Sequence, residues 1–122
     1  MTYTFDIETK LPTLNEYILA ERTNKFIAAK IKKQATTICA LSCMFLKGKV
    51  DKSMRYYVYF VWHMPNYRLD PDNVAYAKKF VLDGLVKAGV LENDGAKNIS
   101  GFSDKFEYDG KQFVTVTLIS ET

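Results

Sequence analysis

The apolar positions along the chain change period from two, to about four, and back to two. In "YTFDIE", residues 3–8, Tyr3, Phe5 and Ile7 alternate with Thr4, Asp6 and Glu8, which predicts a half-buried strand. "LPTLNEY" follows, where Thr13 and Glu16 have the spacing of a capping box and predict a helix start. From Phe26 to about Leu46 the period is helical. Ile27, Ile31, Ile38, Leu41 and Phe45 predict its core stripe, with Lys25, Lys32 and Lys33 facing broadly away and Lys30 on the flank. Gly48 is placed to stop that helix. "RYYVYFVWHM", residues 55–64, is almost continuously apolar and predicts a central strand covered on both faces. "MPNYRLDPDN" reads as a loop, residues 73–88 as a second helix ending before Gly89, and "QFVTVTLIS" as a last strand. Residues 99–109 read as a short strand or turn. With no repeat, low-complexity run or linker, the pattern predicts one α+β domain over residues 1–122, a small mixed sheet packed with two main helices.

A chain of 122 residues with 48% hydrophobic and 14% aromatic content can build one proper core. No apolar run approaches the roughly 20 residues of a membrane span, and the N-terminus lacks the plan of a signal peptide. The expectation is a soluble, cytoplasmic protein with no membrane partner. Cys39 and Cys43 stand four apart with no second pair to complete a zinc site, and are expected in the core.

Charge separates the chain into two parts. Residues 21–55 hold nine basic and two acidic side chains, a net +7 within a chain of net +3, leaving the remainder acidic. That asymmetry fits a polyanion-binding surface beside a carboxylate cluster, and also fits a solvated helix face. Arg22, Lys25, Lys30, Lys32 and Lys33 are the candidate phosphate contacts. Phe26 beside them is either an aromatic that wedges or stacks, or a core or helix-start aromatic. His63, the one histidine, is expected to pack or to make a structural hydrogen bond, with a general base as the lesser reading.

The carboxylates of "RLDPDN" carry the chemistry. Asp70 and Asp72 flank Pro71 at the entry to the second helix, where an Asp serves as an N-cap. A cap uses one carboxylate, and this turn offers two. At about 100° per residue, Asp72, Tyr76, Lys79 and Asp83 fall within about 40° of one line, opposite the buried stripe of Val74, Ala77, Val81, Leu85 and Ala88. Lys78 lies off that line. Asp94 in "LENDG" is either a third metal ligand folded back toward the helix start or an ordinary Asp-Gly turn.

Together, "WHMPNYRLDPDN", "AKKFVLDGLVKAGVLENDG" and, more loosely, "LPTLNEY" resemble the RusA-type Holliday-junction resolvases, over roughly residues 11–101. The resemblance implies a RusA-like α+β fold and a homodimeric endonuclease that nicks four-way DNA junctions in DNA recombination and repair. It implies Mg²⁺ as cofactor, with Mn²⁺ able to substitute, and no small-molecule cofactor. Asp70, Asp72 and Asp94 match the family's metal-binding catalytic aspartates, and Lys79 its catalytic lysine when the alignment is anchored on Asp83. The Asp72–Asp83 segment is three residues longer than in the best-known bacterial member, so an anchor on Asp72 would put Tyr76 at the lysine position. Asp83 and Asn73 are expected to support these groups from behind, and Asn15 joins the DNA-facing set. A catalytically silent DNA-binding protein and a broader flap or fork nuclease are the competing readings.

Overall fold

The computed structural model describes residues 1–121. Its elements in chain order are β1 (Thr2–Ile7), α1 (Leu14–Thr23), α2 (Lys25–Cys43), a 3₁₀ turn (Met44–Leu46), β2 (Tyr56–His63), α3 (Pro71–Ala75), α4 (Lys78–Lys87), β3 (Ile99–Glu107) and β4 (Phe113–Ser120). The four strands make one mixed sheet in the order β1-β4-β2-β3, as the α+β expectation required. β4 pairs antiparallel with both β1 and β2, and β3 lies parallel to β2 from Tyr56↔Ile99 to His63↔Glu107. A parallel pair needs a crossover, and α3 with α4 supplies it.

Alternation decides which strand face meets the helices. Phe5 and Ile7 of β1, Tyr56, Val58, Phe60 and Trp62 of β2, and Val114, Val116 and Leu118 of β4 are buried. Their odd-numbered neighbours on β2 are half-buried or exposed, with Tyr57 the most open. The central strand is therefore covered on one face only, not on both. Tyr57, Tyr59 and His63 explain how an almost continuous apolar run tolerates this, since each combines an apolar body with a polar group. The segment at 99–109 is a full nine-residue strand.

Both helix starts use local chemistry legible in the sequence. Thr13 Oγ1 accepts from the Glu16 N–H at 3.3 Å while Glu16 Oε1 accepts from the Thr13 N–H at 3.1 Å, completing the capping box of α1. Asn24 separates α1 from α2 in an extended conformation, and its Oδ1 accepts from the Phe26 N–H at 2.8 Å.

The face of α2 that meets the core is not the predicted one. Its buried residues are Ala28, Ala35, Cys39, Ala40 and Cys43. Ile27, Leu41 and Phe45 are 46%, 63% and 55% exposed, and Ile31 and Ile38 are half-buried. The reason is the close approach of α4. A Cβ placed on Gly84 would stand 2.5 Å from Cys39 Cβ and 2.8 Å from the Ala40 nitrogen, so only small residues fit this crossing. Both cysteines are free and buried, as expected. Burial, followed by the neighbouring Cys43 and Asp83 charges, pushes the Cys39 thiol up to about 12, and burial pushes Cys43 to about 11.

The second helix is also two pieces rather than one run over residues 73–88. It starts earlier, at Pro71, and bends at Tyr76–Ala77. Bonds of the 3₁₀ kind mark the bend, from the Ala77 N–H to the Val74 carbonyl at 3.1 Å and from the Lys79 N–H to the Tyr76 carbonyl at 3.1 Å. Gly89, at φ +77, ends α4.

Candidate functional site

Asp70 occupies the N-cap position of α3 with φ −73 and ψ 140, the extended conformation that the following Pro71 favours. Its carboxylate makes no capping hydrogen bond, so the helix-cap role leaves Asp70 free. Asp72 sits in the first turn, and both side chains are exposed. Asn73, next in line and about 100° around the helix, is buried. Its Oδ1 accepts from the Asn15 N–H at 2.8 Å and ties the start of α1 to α3. Anchoring Asn73 inward turns Asp72 outward. Among the described residues, the carboxylates of Asp70, Asp72 and Asp94 make no side-chain hydrogen bond or ion pair.

The two lysines that open α4 have different surroundings. Lys78 turns inward, with Nζ 2.7 Å from Asp104 Oδ2, 3.9 Å from the centroid of the Phe102 ring and 5.4 Å from that of Phe60. Trp62 Nε1 donates to the other Asp104 oxygen at 2.8 Å, so Lys78 belongs to a structural network between α4 and the sheet. Lys79 faces solvent, with Nζ 3.6 Å from Asp83 Oδ1. The bend at Tyr76–Ala77 alters one member of the wheel face: Tyr76 is half-buried, stacked edge-on against Phe80 and tilted against Tyr17.

Asp94 is elsewhere. Asp70 follows the last residue of β2, whereas Asp94 precedes the first residue of β3, which pairs with the first residue of β2. The 91–98 segment is bonded to the entry of β2, by the Glu92 N–H to the Lys52 carbonyl at 3.0 Å and by Arg55 Nε to the Ala96 carbonyl at 3.0 Å. Asp70 and Asp94 thus stand at opposite ends of a strand pair about 25 Å long. Within one chain, no three His, Cys, Asp or Glu side chains among the described residues gather to hold a metal.

No protein-family model matches this chain. No curated protein matches it either. What can be said of function therefore rests on these side chains.

Asn15, Arg22, Lys25, Lys30, Lys32 and Lys33 are all exposed, and none of the basic ones is in an ion pair among the described residues. Phe26 is exposed at the start of α2, with Lys25 Nζ 5.6 Å from its ring centroid, which removes the core alternative and leaves that of a helix-start aromatic. His63 makes the expected structural contacts. Its Nδ1 lies 2.6 Å from Asp109 Oδ2, its Nε2 lies 3.3 Å from Thr115 Oγ1, and its ring stacks on Phe113. The hydrogen bond from His63 holds the Asp109 carboxyl below the usual carboxylate range. Spacing gave no hint of a stacked pair at the Asp70 end of the sheet, Tyr67 on Tyr108 with centroids 4.2 Å apart. Nor did it reveal that Asp104 would hold Lys78, because the short strand or turn read at residues 99–109 carried no sign that it pairs with β2. No described helix is long and apolar enough to cross a membrane.

Proposed function

We propose that this chain is a Mg²⁺-dependent DNA endonuclease that nicks branched DNA, with four-way junctions as its substrate. The observation that carries the reading is the turn at residues 70–72. It presents two carboxylates, neither spent on capping nor on an ion pair, next to a helix whose outward lysine is Lys79. Holding two exposed carboxylates close together costs repulsion, which a divalent cation would relieve.

Asp70 and Asp72 are hard oxygen donors and fit Mg²⁺. When bound, such an ion supplies a water of lowered pKa and polarises a phosphoryl oxygen. Asp70 and Asp72 would hold it, and Asn73, fixed by Asn15, would keep Asp72 in its outward rotamer. Lys79, a compact point charge oriented by Asp83, would stabilise negative charge developing on the phosphate. Arg22, Lys25, Lys30, Lys32 and Lys33 would bind phosphates without reading sequence. Asp94 stands too far along the chain to join Asp70 in the same copy. A three-aspartate set therefore closes only if Asp94 of the partner subunit completes it, in the homodimer that the resemblance implies.

The test is cleavage of four-way, flap and linear DNA with Mg²⁺ and with EDTA, by the wild type and by Asp72→Asn. The expected result is nicking of the four-way junction that needs Mg²⁺ and disappears in Asp72→Asn while junction binding survives. Binding without cleavage by the wild type would identify a silent DNA-binding protein instead. Equal cleavage of flaps would widen the substrate class.

A further inference from the structure

The outward face of α2 carries Ile27, Ile31, Gln34, Ile38 and Leu41, and the 3₁₀ turn after it adds Phe45, the six separated alternately by four and three residues. That is the a/d spacing of a seam between two helices, held over the whole length of α2. Ile31 and Ile38 are half-buried, Ile38 against the edge of the core, and the rest of the row is open to solvent. Ile27, Leu41 and Phe45 are about half exposed or more, and Met44 on the flank is 50% exposed. The core-facing residues of the same helix lie on another side and are small. One buried face is enough to hold a helix on a sheet, so a second apolar row of large side chains calls for a second partner.

Charge identifies that partner and its direction. All four lysines of α2 lie between Lys25 and Lys33, residues 34–43 carry no charge, and the helix has no carboxylate. A parallel pair of α2 helices would set each lysine beside its own copy. An antiparallel pair lays the basic half of each against the uncharged half of the other. Centred at Thr36, it keeps the two Lys30 groups on the seam's flank about 18 Å apart along the axis, beyond the Debye length of about 8 Å. Opposed helix dipoles favour the same sense. We infer that α2 is an interface between two copies of this chain, packed antiparallel about a two-fold axis that passes between Gln34 and Ile38, at the height of Thr36.

The pairing is self-complementary. Ile27 meets Phe45 of the partner subunit, Ile31 meets the partner's Leu41, and Gln34 meets the partner's Ile38. Gln34, the one polar residue of the row, falls beside the axis, where a polar seam residue fixes register. At roughly 150–250 Å² for a whole large side chain, the exposed fractions and their polar flanks offer each copy on the order of 700 Å², within the range of specific interfaces at about 1,200–2,000 Å² for both partners. Lys25, Lys32 and Lys33 stay off the seam. The pairing itself does not depend on the nuclease reading.

Sedimentation of the full chain without DNA tests it. The wild type is expected to be a dimer at micromolar concentration, tightening as salt screens the lysines. Leu41→Asp and Phe45→Asp should each weaken dimerisation at least tenfold while the circular dichroism spectrum stays native, because both positions are exposed in the monomer. Direction is read by oxidation, since buried Cys39 and Cys43 do not compete. Ile27→Cys mixed with Phe45→Cys should form the disulfide-linked heterodimer, and neither variant alone should link. A monomeric wild type, undiminished dimers of the Asp variants, or linking of Ile27→Cys to itself would each overturn the inference. None of these readouts involves cleavage, so a silent nuclease and a failed interface are distinguished.

Discussion

The inward and outward faces of the helical layer place opposite demands on their side chains. Inward, α2 meets α4 through Ala35, Cys39, Ala40 and Cys43 against Gly84, a contact so close that a single Cβ on Gly84 finds no room. Outward, the same helix shows Ile27, Leu41 and Phe45 to solvent. α4 repeats the contrast with charge, burying Lys78 against Asp104 and exposing Lys79 beside Asp83. The difference teaches that close backbone approach, rather than side-chain hydrophobicity, sets which face is the core here. Large apolar or charged groups facing out are then available for function.

The strongest way to break that contrast is Gly84→Ala. The new methyl overlaps Cys39 and the Ala40 backbone, neither of which yields easily, and the expected cost is about 3 kcal/mol or more in urea unfolding. Leu41→Ala, on the outward face, should change the stability of the monomer by less than about 0.5 kcal/mol. Equal costs for the two would mean that α2 is rotated from the packing described.

The lysine pair sharpens the comparison at smaller amplitude. Lys78→Ala removes a largely buried partner from Asp104 and should cost about 1–2 kcal/mol of stability. Lys79→Ala should cost under about 0.5 kcal/mol, its ion pair being exposed. In a junction-cleavage assay the order reverses, with Lys79→Ala lowering turnover at least tenfold more than Lys78→Ala does after correction for folded protein. A larger catalytic loss in Lys78→Ala would exchange their roles.

The buried thiols act only in alkali. Their folded values, about 12 for Cys39 and about 11 for Cys43, lie above the ordinary 9.0. As pH rises past 9 the unfolded chain releases these protons first, so unfolding becomes easier up to about pH 12. The contribution is fully present below pH 9. Cys39→Ala should flatten this alkaline decline in urea titrations, and an unchanged slope would show that the thiol is not sequestered.

Much of the scaffold could be read from the sequence because alternation and capping are local. Phe5 and Ile7 announced β1, the Thr13–Glu16 pair announced α1, and Val81 with Leu85 announced the buried side of α4. Periodicity found the apolar row of α2 but could not tell it from the core face, since Ala and Cys give a weaker signal than Ile and Leu. β3 was legible only as a short strand or turn because "ISGFSDKFE" mixes polar and apolar residues, and its parallel partner makes it a full strand only after the crossover has folded. The same omission hid the position of Asp94. At the candidate site, the outward Asp72 and Lys79 followed from helical spacing, with Asp83 beside Lys79 but half-buried, whereas the Asn73–Asn15 bond and the inward turn of Lys78 depend on contacts between distant segments.

A site assembled from Asp70 and Asp72 of one copy and Asp94 of the partner subunit is the central claim, and complementation tests it most directly. Asp72→Asn and Asp94→Asn chains, co-expressed so that mixed dimers form, are assayed on a four-way junction with Mg²⁺. Each variant alone should be inactive, while the mixed dimer keeps one intact site and nicks one strand. An inactive mixture alongside an active wild type, or wild-type cleavage by either variant alone, would contradict the account.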